Sequence, residues 1–471
     1  MNVEFPRHPD LEVIQDRLAF LRDSYLGGID YKKEAYLPEY GREDTEDYKR
    51  RLEQATLTNH CGPAVEIYNN YLFSGDINRD FAGLSGTEFD EFMADADMMG
   101  RSYKKMIREL SKQAGASGFT GVILDKPQGE GVSKQDELDK GIRPYMTAYV
   151  ASSIIDYEME YKGGSRVLTK LILQEDTGKT DVLTYKVWYQ DRWELWEKDK
   201  EKEWNKVSFG DNIINFIPFV VIINRDKDFH PIIGKSDIAD IADINNRAYG
   251  FDSDASHIIK QCAFPFLQGP ASSIKAIDKL STDVAIPIDD SDGESKPELK
   301  WTEPVHTSLP QIMAWRKEAI QDIKDMSKLQ SGQEKQQAES GIALEIQFRP
   351  LNAMLTEKAE NMELAETRIL NILALYLGQK FTGKIEYPRE FAVMDLMQEI
   401  DIAINAKTAV QSRTFKAEVE KIIATKALPD AEEATMKTIL EEIDAAAIEP
   451  EIPNIGGEDE EEIKKEDKEK V

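Results

Sequence analysis

The stretch KSDIADIADINNRAYGFDSDASHIIKQCAFPFLQGP, residues 235–270, decides how the rest of the chain is read. Ile241, Ile244, Ala248, Phe251, Ala255, Ile258 and Cys262 recur three and four apart without a break. On a helix this spacing puts them on one narrow seam, the pattern of a rod packed lengthwise on neighbouring helices. Charge fills the remaining surface through Asp237, Asp240, Asp243, Arg247, Asp252, Asp254 and Lys260. One chain covers only part of such a rod, so the seam predicts that further copies cover the rest.

Downstream, residues 264–305 change character. FPFLQGP, then residues 274–280, then VAIPIDDSDGESKPELKW predict a strand, a short helix and a strand with acidic turns. Ser308 opens a second helix, with Gln311 three residues on as a capping box requires and Pro310 tolerated in the first turn. Leu309, Ile312, Met313, Ala319, Ile320, Ile323 and Met326 form its broader apolar stripe. SGQEKQQAESG, residues 331–341, is a polar loop without an apolar anchor. A helix over 342–377 follows. Pro350 within it removes a backbone donor, clashes with the preceding turn and predicts a kink.

Upstream, the pattern predicts helices over 11–26, from Thr45 on, over 64–73 after an interruption at Pro63, and over 89–114. Strands are predicted at 119–125, 167–175, 182–189 and 193–198, with another set within 143–160. FIPFVVII, residues 216–223, lacks alternation and predicts a strand covered on both faces. Residues 384–387 are expected to return a strand to this α+β body. Residues 392–447 read as helical with a break at Leu428-Pro429-Asp430, and the acidic end from 451 as a solvated tail.

The chain has 471 residues, enough for roughly two to four domains, and 41% of them are hydrophobic. Its formal charge is −29, from 59 basic and 88 acidic side chains. Such a surface repels phosphate and argues against tight nucleic-acid binding through a basic patch, though not against touching DNA without gripping it. Two cysteines, Cys61 and Cys262, cannot build a disulfide framework or a cysteine-based zinc site. No signal-peptide layout and no membrane-spanning apolar run is present, which reads as a soluble intracellular chain with no membrane partner.

Enzyme motifs are missing. There is no P-loop, no H-E-x-x-H and no paired C-x-x-C, and Gly83-Leu84-Ser85-Gly86 misses the nucleophile elbow by one position. The five histidines, His8, His60, His230, His257 and His306, share no ligand spacing and read as loop, cap or core residues. No catalytic residue, cofactor or metal is expected. Asp237, Asp240 and Asp243 recur at a helix start, where they suit the helix dipole and a solvated face. In a symmetric assembly they would instead form a ring of negative charge. Trp188, Trp193, Trp196 and Trp204 read as cross-strand packing rather than a base platform, with no basic residues clustered beside them.

The order of these pieces resembles the portal proteins of tailed bacteriophages, which form the head–tail connector ring. TEDYKRRLEQATLTNHCGPAVEIYNNYLF (45–73) is similar to that family's N-terminal helices. GKSDIADIADINNRAYGFDSDASHIIKQCAFPFLQG (234–269) resembles a stem helix running into a clip, and ESGIALEIQFRPLNAML (339–355) a tunnel loop joining a kinked helix. The resemblance runs from about residue 43 to residue 387, and the order of the phrases carries it more than any one of them. It implies an α+β, mostly helical portal fold: an α/β wing (1–234), a first stem helix (235–263) and a small α/β clip (264–305). A second stem helix (306–330), a tunnel loop (331–341), a long kinked wing helix with a returning strand (342–391), a helical crown (392–450) and an acidic disordered tail (451–471) follow. Residues before 43 and the tail have no counterpart.

The resemblance further implies a homo-oligomeric ring, commonly a dodecamer, at one capsid vertex of a virion assembled in the host cytoplasm. Double-stranded DNA would pass through it non-specifically during packaging and ejection. The terminase large subunit, the head–tail adaptor and tail proteins would dock on it, and the major capsid protein would surround it. Gln333, Lys335, Gln336 and Gln337 would offer weak phosphate contacts from the tunnel loop, and Asp237, Asp240 and Asp243 would face the channel from the stem. The alternatives are another ring-forming head–tail connector and an acidic intracellular hydrolase.

Overall fold

Apolar runs upstream of residue 235 become two antiparallel sheets beneath a layer of helices. The computed structural model describes residues 3–41, 43–127, 129, 140–179, 181–199, 203–263, 266–270, 285–288, 300–302, 307–327, 341–391, 412–427 and 433–448. The chain divides into two compact units, residues 1–338 with 346–391, and residues 339–345 with 392–471. The fold class is α+β.

In the first unit, helices α1 (Pro9–Val13), α2 (Gln15–Leu26), α3 (Thr45–Gln54), α4 (Cys61–Leu72), α5 (Thr87–Ala94) and α6 (Tyr103–Ser117) precede or cover the sheets. Strand β1 (Asn78–Asp80) lies between α4 and α5. α6 buries Met106, Ile107, Leu110 and Ala114, the spacing of a helix with one apolar stripe. It runs into β2 (Phe119–Asp125), whose residues through Leu124 are all buried. β2 is the centre of a three-stranded sheet between β3 (Tyr145–Val150) and β9 (Phe219–Ile223), antiparallel to both. β4 (Ile154–Lys162), β5 (Ser165–Glu175), β6 (Val182–Tyr189), β7 (Arg192–Asp199) and β8 (Asn205–Asp211) form a meander in chain order. Leu171, Leu173 and Trp188 from the meander meet Phe119, Ile123 and Tyr149 from the other sheet in one core.

A second core forms where the long helix, Gly341–Tyr376, buries Leu355, Ala359, Met362, Ala365, Ile369 and Leu373 against α4 and α6. Pro350 lies within that helix. A short strand, Lys384–Glu386, then pairs antiparallel with β1, returning to the body as the sequence predicts. Glu366 sits at the middle of this core with no exposed side-chain surface. Arg79 holds it through Nε at 2.8 Å and Nη2 at 2.9 Å, Tyr103 donates to it at 3.1 Å, and Tyr387 donates as well. Burial, reinforced by the carboxylate, raises both tyrosine pKa values well above normal, so both stay protonated donors.

Two upstream expectations are corrected. The single helix over 89–114 is two, α5 and α6, because carboxylates bond the intervening backbone. Asp97 accepts from the Met99 and Arg101 amides, Asp95 from Gly100, and Ser102 caps α6. Pro63 does not interrupt α4 but sits in its first turn, where no amide is needed. FIPFVVII is covered on both faces as expected: its strand lies at a sheet edge, with Val220 and Ile222 buried in the core of the long helix and Phe219 and Val221 packed against the core between the two sheets. The tryptophans do pack across strands, Trp188 opposite Trp193, and lysines lie over them: Lys186 4.5 Å from the Trp188 centroid, Lys206 5.4 Å from that of Trp196.

Among its described residues the second unit holds helices Arg413–Ala427 and Glu433–Ile448, and Leu428-Pro429-Asp430 lies outside the described residues. Lys421 pairs with Asp444 between them at 2.6 Å. The tail from 451 lies outside the described residues.

Candidate functional site

The seam helix forms as Ala242–Ala263, and a second helix, Leu309–Ser327, packs along it. Three pairs show the sense of the packing. Arg247 meets Asp322 at 3.4 Å, Asp252 pairs with Arg316, and the Phe251 and Trp315 rings lie 6.1 Å apart. Rising numbers on one helix face falling numbers on the other, so the two run antiparallel. The same sense continues into the strands beyond, where Phe266 pairs with Thr302, Leu267 with Trp301 and Gln268 with Lys300. Strand Ala285–Ile288 adds to the other side of Phe266–Pro270 in parallel. A helix pair thus ends in a three-stranded sheet, inserted between the body strands and the long helix. The expected short helix at 274–280 lies outside the described residues.

Along the seam, Ile241, Ala248 and Ala255 are buried, and Ile244, Phe251 and Ile258 half-buried. The seam therefore packs within this one chain, partly on the second helix. What stays open is another set of apolar side chains: Ile259 (51% exposed), Met313 (45%), Trp315 (51%) and Met326 (48%). Exposed apolar groups on two packed helices mark a surface that gains from cover.

The three aspartates separate. Asp237 is no channel-facing residue: its side chain has no exposed surface. It precedes the helix and pairs with Lys358 of the long helix, itself 3% exposed. It also accepts from Asn224 Nδ2 at 2.8 Å and lies 3.6 Å from Arg225 Nε. Its own amide donates to the Gly115 carbonyl at 2.9 Å. A carboxylate enclosed this way is held by its counter-ions, so it roots the helix pair in the body rather than meeting solvent. The root is tight in backbone too: Gly118 ends α6 at φ +97°, and a Cβ there would fall 2.4 Å from the Gly234 carbonyl oxygen. Tyr68 ties the second helix at the same end of the pair, donating to the Ser327 carbonyl.

Asp240 and Asp243 remain exposed, 60% and 63% in their side chains. Lys235 reaches Asp240 at 3.2 Å, and Arg17 forks onto both oxygens of Asp243 at 2.8 Å. Exposed pairs of this kind contribute about 0–1 kcal/mol each, so they set local charge more than stability. Gln333, Lys335, Gln336 and Gln337 lie outside the described residues.

The N-terminal residues, which sequence reading left without a role, lie on the seam helix. Tyr31 donates to Asn246 at 3.1 Å and Tyr40 to Asp254 at 2.6 Å, while the Tyr31 and Tyr249 rings meet edge to face at 5.4 Å. Burial first, then the bond to Asp254, pushes the Tyr40 pKa up to about 12. The dense aromatics of the 31–40 stretch were the available signal, since rings with polar tips seek buried faces with an acceptor at the edge.

Two histidines hold backbone amides. His8 accepts from the Asp10 amide at the start of α1, and His230 accepts from the Ile233 amide at 2.7 Å. Cys61 is buried with its thiol pushed up to about 12 by desolvation. Among the described residues no group of three or more His, Cys, Asp or Glu could hold a metal, and no helix is long and apolar enough to cross a membrane.

No protein-family model matches the sequence, and no curated protein matches it. Among solved structures, the chain is similar to one in the neck of an empty gene transfer agent particle computed with C6 symmetry. The TM-score is 0.41 at 12% identity, over 79% of this chain and 92% of that one. A chain in the neck of the native particle computed with C12 symmetry gives 0.38 and 11%, over 74% and 86%. One in the virion of the native particle gives 0.40 and 10%, over 76% and 89%. Likeness at this level leaves fold and role to be argued from the chain itself.

Proposed function

We propose that this chain is the subunit of a portal-type ring, a dodecamer at one capsid vertex through which double-stranded DNA passes during packaging and ejection. The observation that carries this reading is the inserted pair of antiparallel helices whose register runs on into a small sheet, the order of a stem and a clip. Its uncovered apolar residues, Ile259, Met313, Trp315 and Met326, supply what neighbouring copies would bury. In a heterologous, head-to-tail arrangement such surfaces close into a ring.

The stem helices then form the channel wall, with Asp240 and Asp243 as exposed acids partly neutralised by Lys235 and Arg17. A wall of mixed charge suits a conduit, because every unopposed cation on DNA adds affinity and costs mobility. Gln333, Lys335, Gln336 and Gln337 are proposed as the loop that touches the phosphates. The terminase large subunit, the head–tail adaptor and tail proteins would dock at the clip, and the major capsid protein would hold the wing. The subunit performs no catalysis of its own in this reading and needs no cofactor.

Native mass measurement and negative-stain imaging of the full chain test it. A closed ring with a central hole is expected, and Trp315→Ser with Met313→Ser should weaken ring formation while leaving the folded subunit intact. A monomer or dimer at micromolar concentration overturns the proposal.

A further inference from the structure

Helix α3 lies beside the first helix of the pair and leaves a notch of about 210 Å³ between them. Arg50 and Arg51 line it from α3, and Ser253, Ser256, His257 and Lys260 from the facing helix. In a chain of charge −29 this is an unusual concentration of donors. The acid on its wall, Asp47, is already paired with Arg50.

Two of the donors are buried and incomplete. Arg51 is 5% exposed and spends Nε and Nη2 on Glu43 at 2.7 Å each, with Nη2 also on the Pro38 carbonyl. Its Nη1 has no hydrogen-bond partner. Ser253 is 4% exposed, and its Oγ likewise has none. At the rim, the Lys260 ammonium bonds the neutral amide oxygen of Gln54. Arg51 Nη1 and Ser253 Oγ are both closed to water in this structure. A buried polar group without a partner costs about 1–3 kcal/mol, more when charged, so each would gain from an acceptor reached from the notch by a small side-chain movement. A tetrahedral oxyanion fits the set, because its acceptor oxygens point several ways and the donors come from two helices. Guanidinium, ammonium and hydroxyl are the groups that phosphate sites use.

We propose that this notch binds a phosphate-class oxyanion, with Arg51 Nη1, the Ser253 hydroxyl and the Lys260 ammonium as ligands, and that the ion clamps α3 to the helix pair. The site lies within one subunit, so it stands or falls independently of ring formation. Its source is either free inorganic phosphate or a backbone phosphodiester, and the two are separable.

The test uses the full chain at constant ionic strength, titrated with inorganic phosphate, with chloride, and with a short DNA duplex. Thermal unfolding and amide exchange of residues 45–54 are the readouts. Phosphate should raise Tm saturably and slow exchange in α3, where chloride does not. Lys260→Ala, on the exposed rim where folding is not at risk, and Ser253→Ala should each weaken the phosphate Kd about tenfold, the loss of one charge-assisted bond. If only the duplex protects α3, with the same variant sensitivity, the phosphodiester is the ligand. Equal responses of wild type and both variants, equal effects of phosphate and chloride, or no response to either phosphate or duplex overturn the proposal.

Discussion

Replacing Asp237 by Asn separates a buried root from a channel-facing acid. The carboxylate has no exposed surface, and its partner Lys358 is 3% exposed. Asn keeps the size and the contact to Asn224 but removes the charge, leaving an enclosed ammonium beside a neutral amide. Breaking a buried pair from one side costs about 3–5 kcal/mol, because the surviving charge keeps its desolvation penalty. Asp240, three residues on and 60% exposed with Lys235, provides the internal control: Asp240→Asn should cost about 0–1 kcal/mol. Urea unfolding at one fixed subunit concentration measures both, since assembly would otherwise shift the midpoint by mass action. Asp237→Asn combined with Lys358→Met should recover much of the loss, because no unpaired charge is then buried. Similar small losses for Asp237→Asn and Asp240→Asn would refute the root and restore Asp237 to the solvent-facing surface.

Arg79→Met leaves Glu366 buried with only tyrosine hydroxyls to hold it, so a loss of about 3–5 kcal/mol is expected by urea unfolding. His60 is held below its usual pKa, first by burial and then by Arg316 and Lys324. The unfolded chain therefore binds the proton more readily, and stability should fall as pH drops from about 6.5 toward the depressed folded value. His60→Leu should remove that slope, and a slope unchanged in the variant would reject the assignment. In a Cys262→Ser background, Cys61 should resist thiol labelling at pH 8 until denaturant is added, because its thiol is buried with a pKa near 12. Labelling of the native protein at the rate of a free thiol would contradict the burial.

Helix periodicity made the pair of stem helices legible. A stripe repeating three and four apart has few stable solutions, and Ala242–Ala263 buries or half-buries that stripe through Ile258. The hairpins of the meander were legible for a similar reason, since Asp176-Thr177-Gly178 is turn chemistry between alternating runs. Strand β8 was not, because nearly all its residues are exposed and no apolar alternation marks it. The split of residues 89–114 depended on Asp95 and Asp97 turning their side chains onto the backbone, a choice that helical spacing does not encode.

By itself, then, the sequence determined the order of elements and which helix faces are apolar, because both follow from local spacing. Only the tertiary structure decided the fate of the charges. Asp237, Asp240 and Asp243 look alike along the chain, yet one is enclosed by Lys358 and the other two stay open beside Lys235 and Arg17. A charge is buried or solvated according to which distant counter-ion the fold delivers, and no local pattern carries that information.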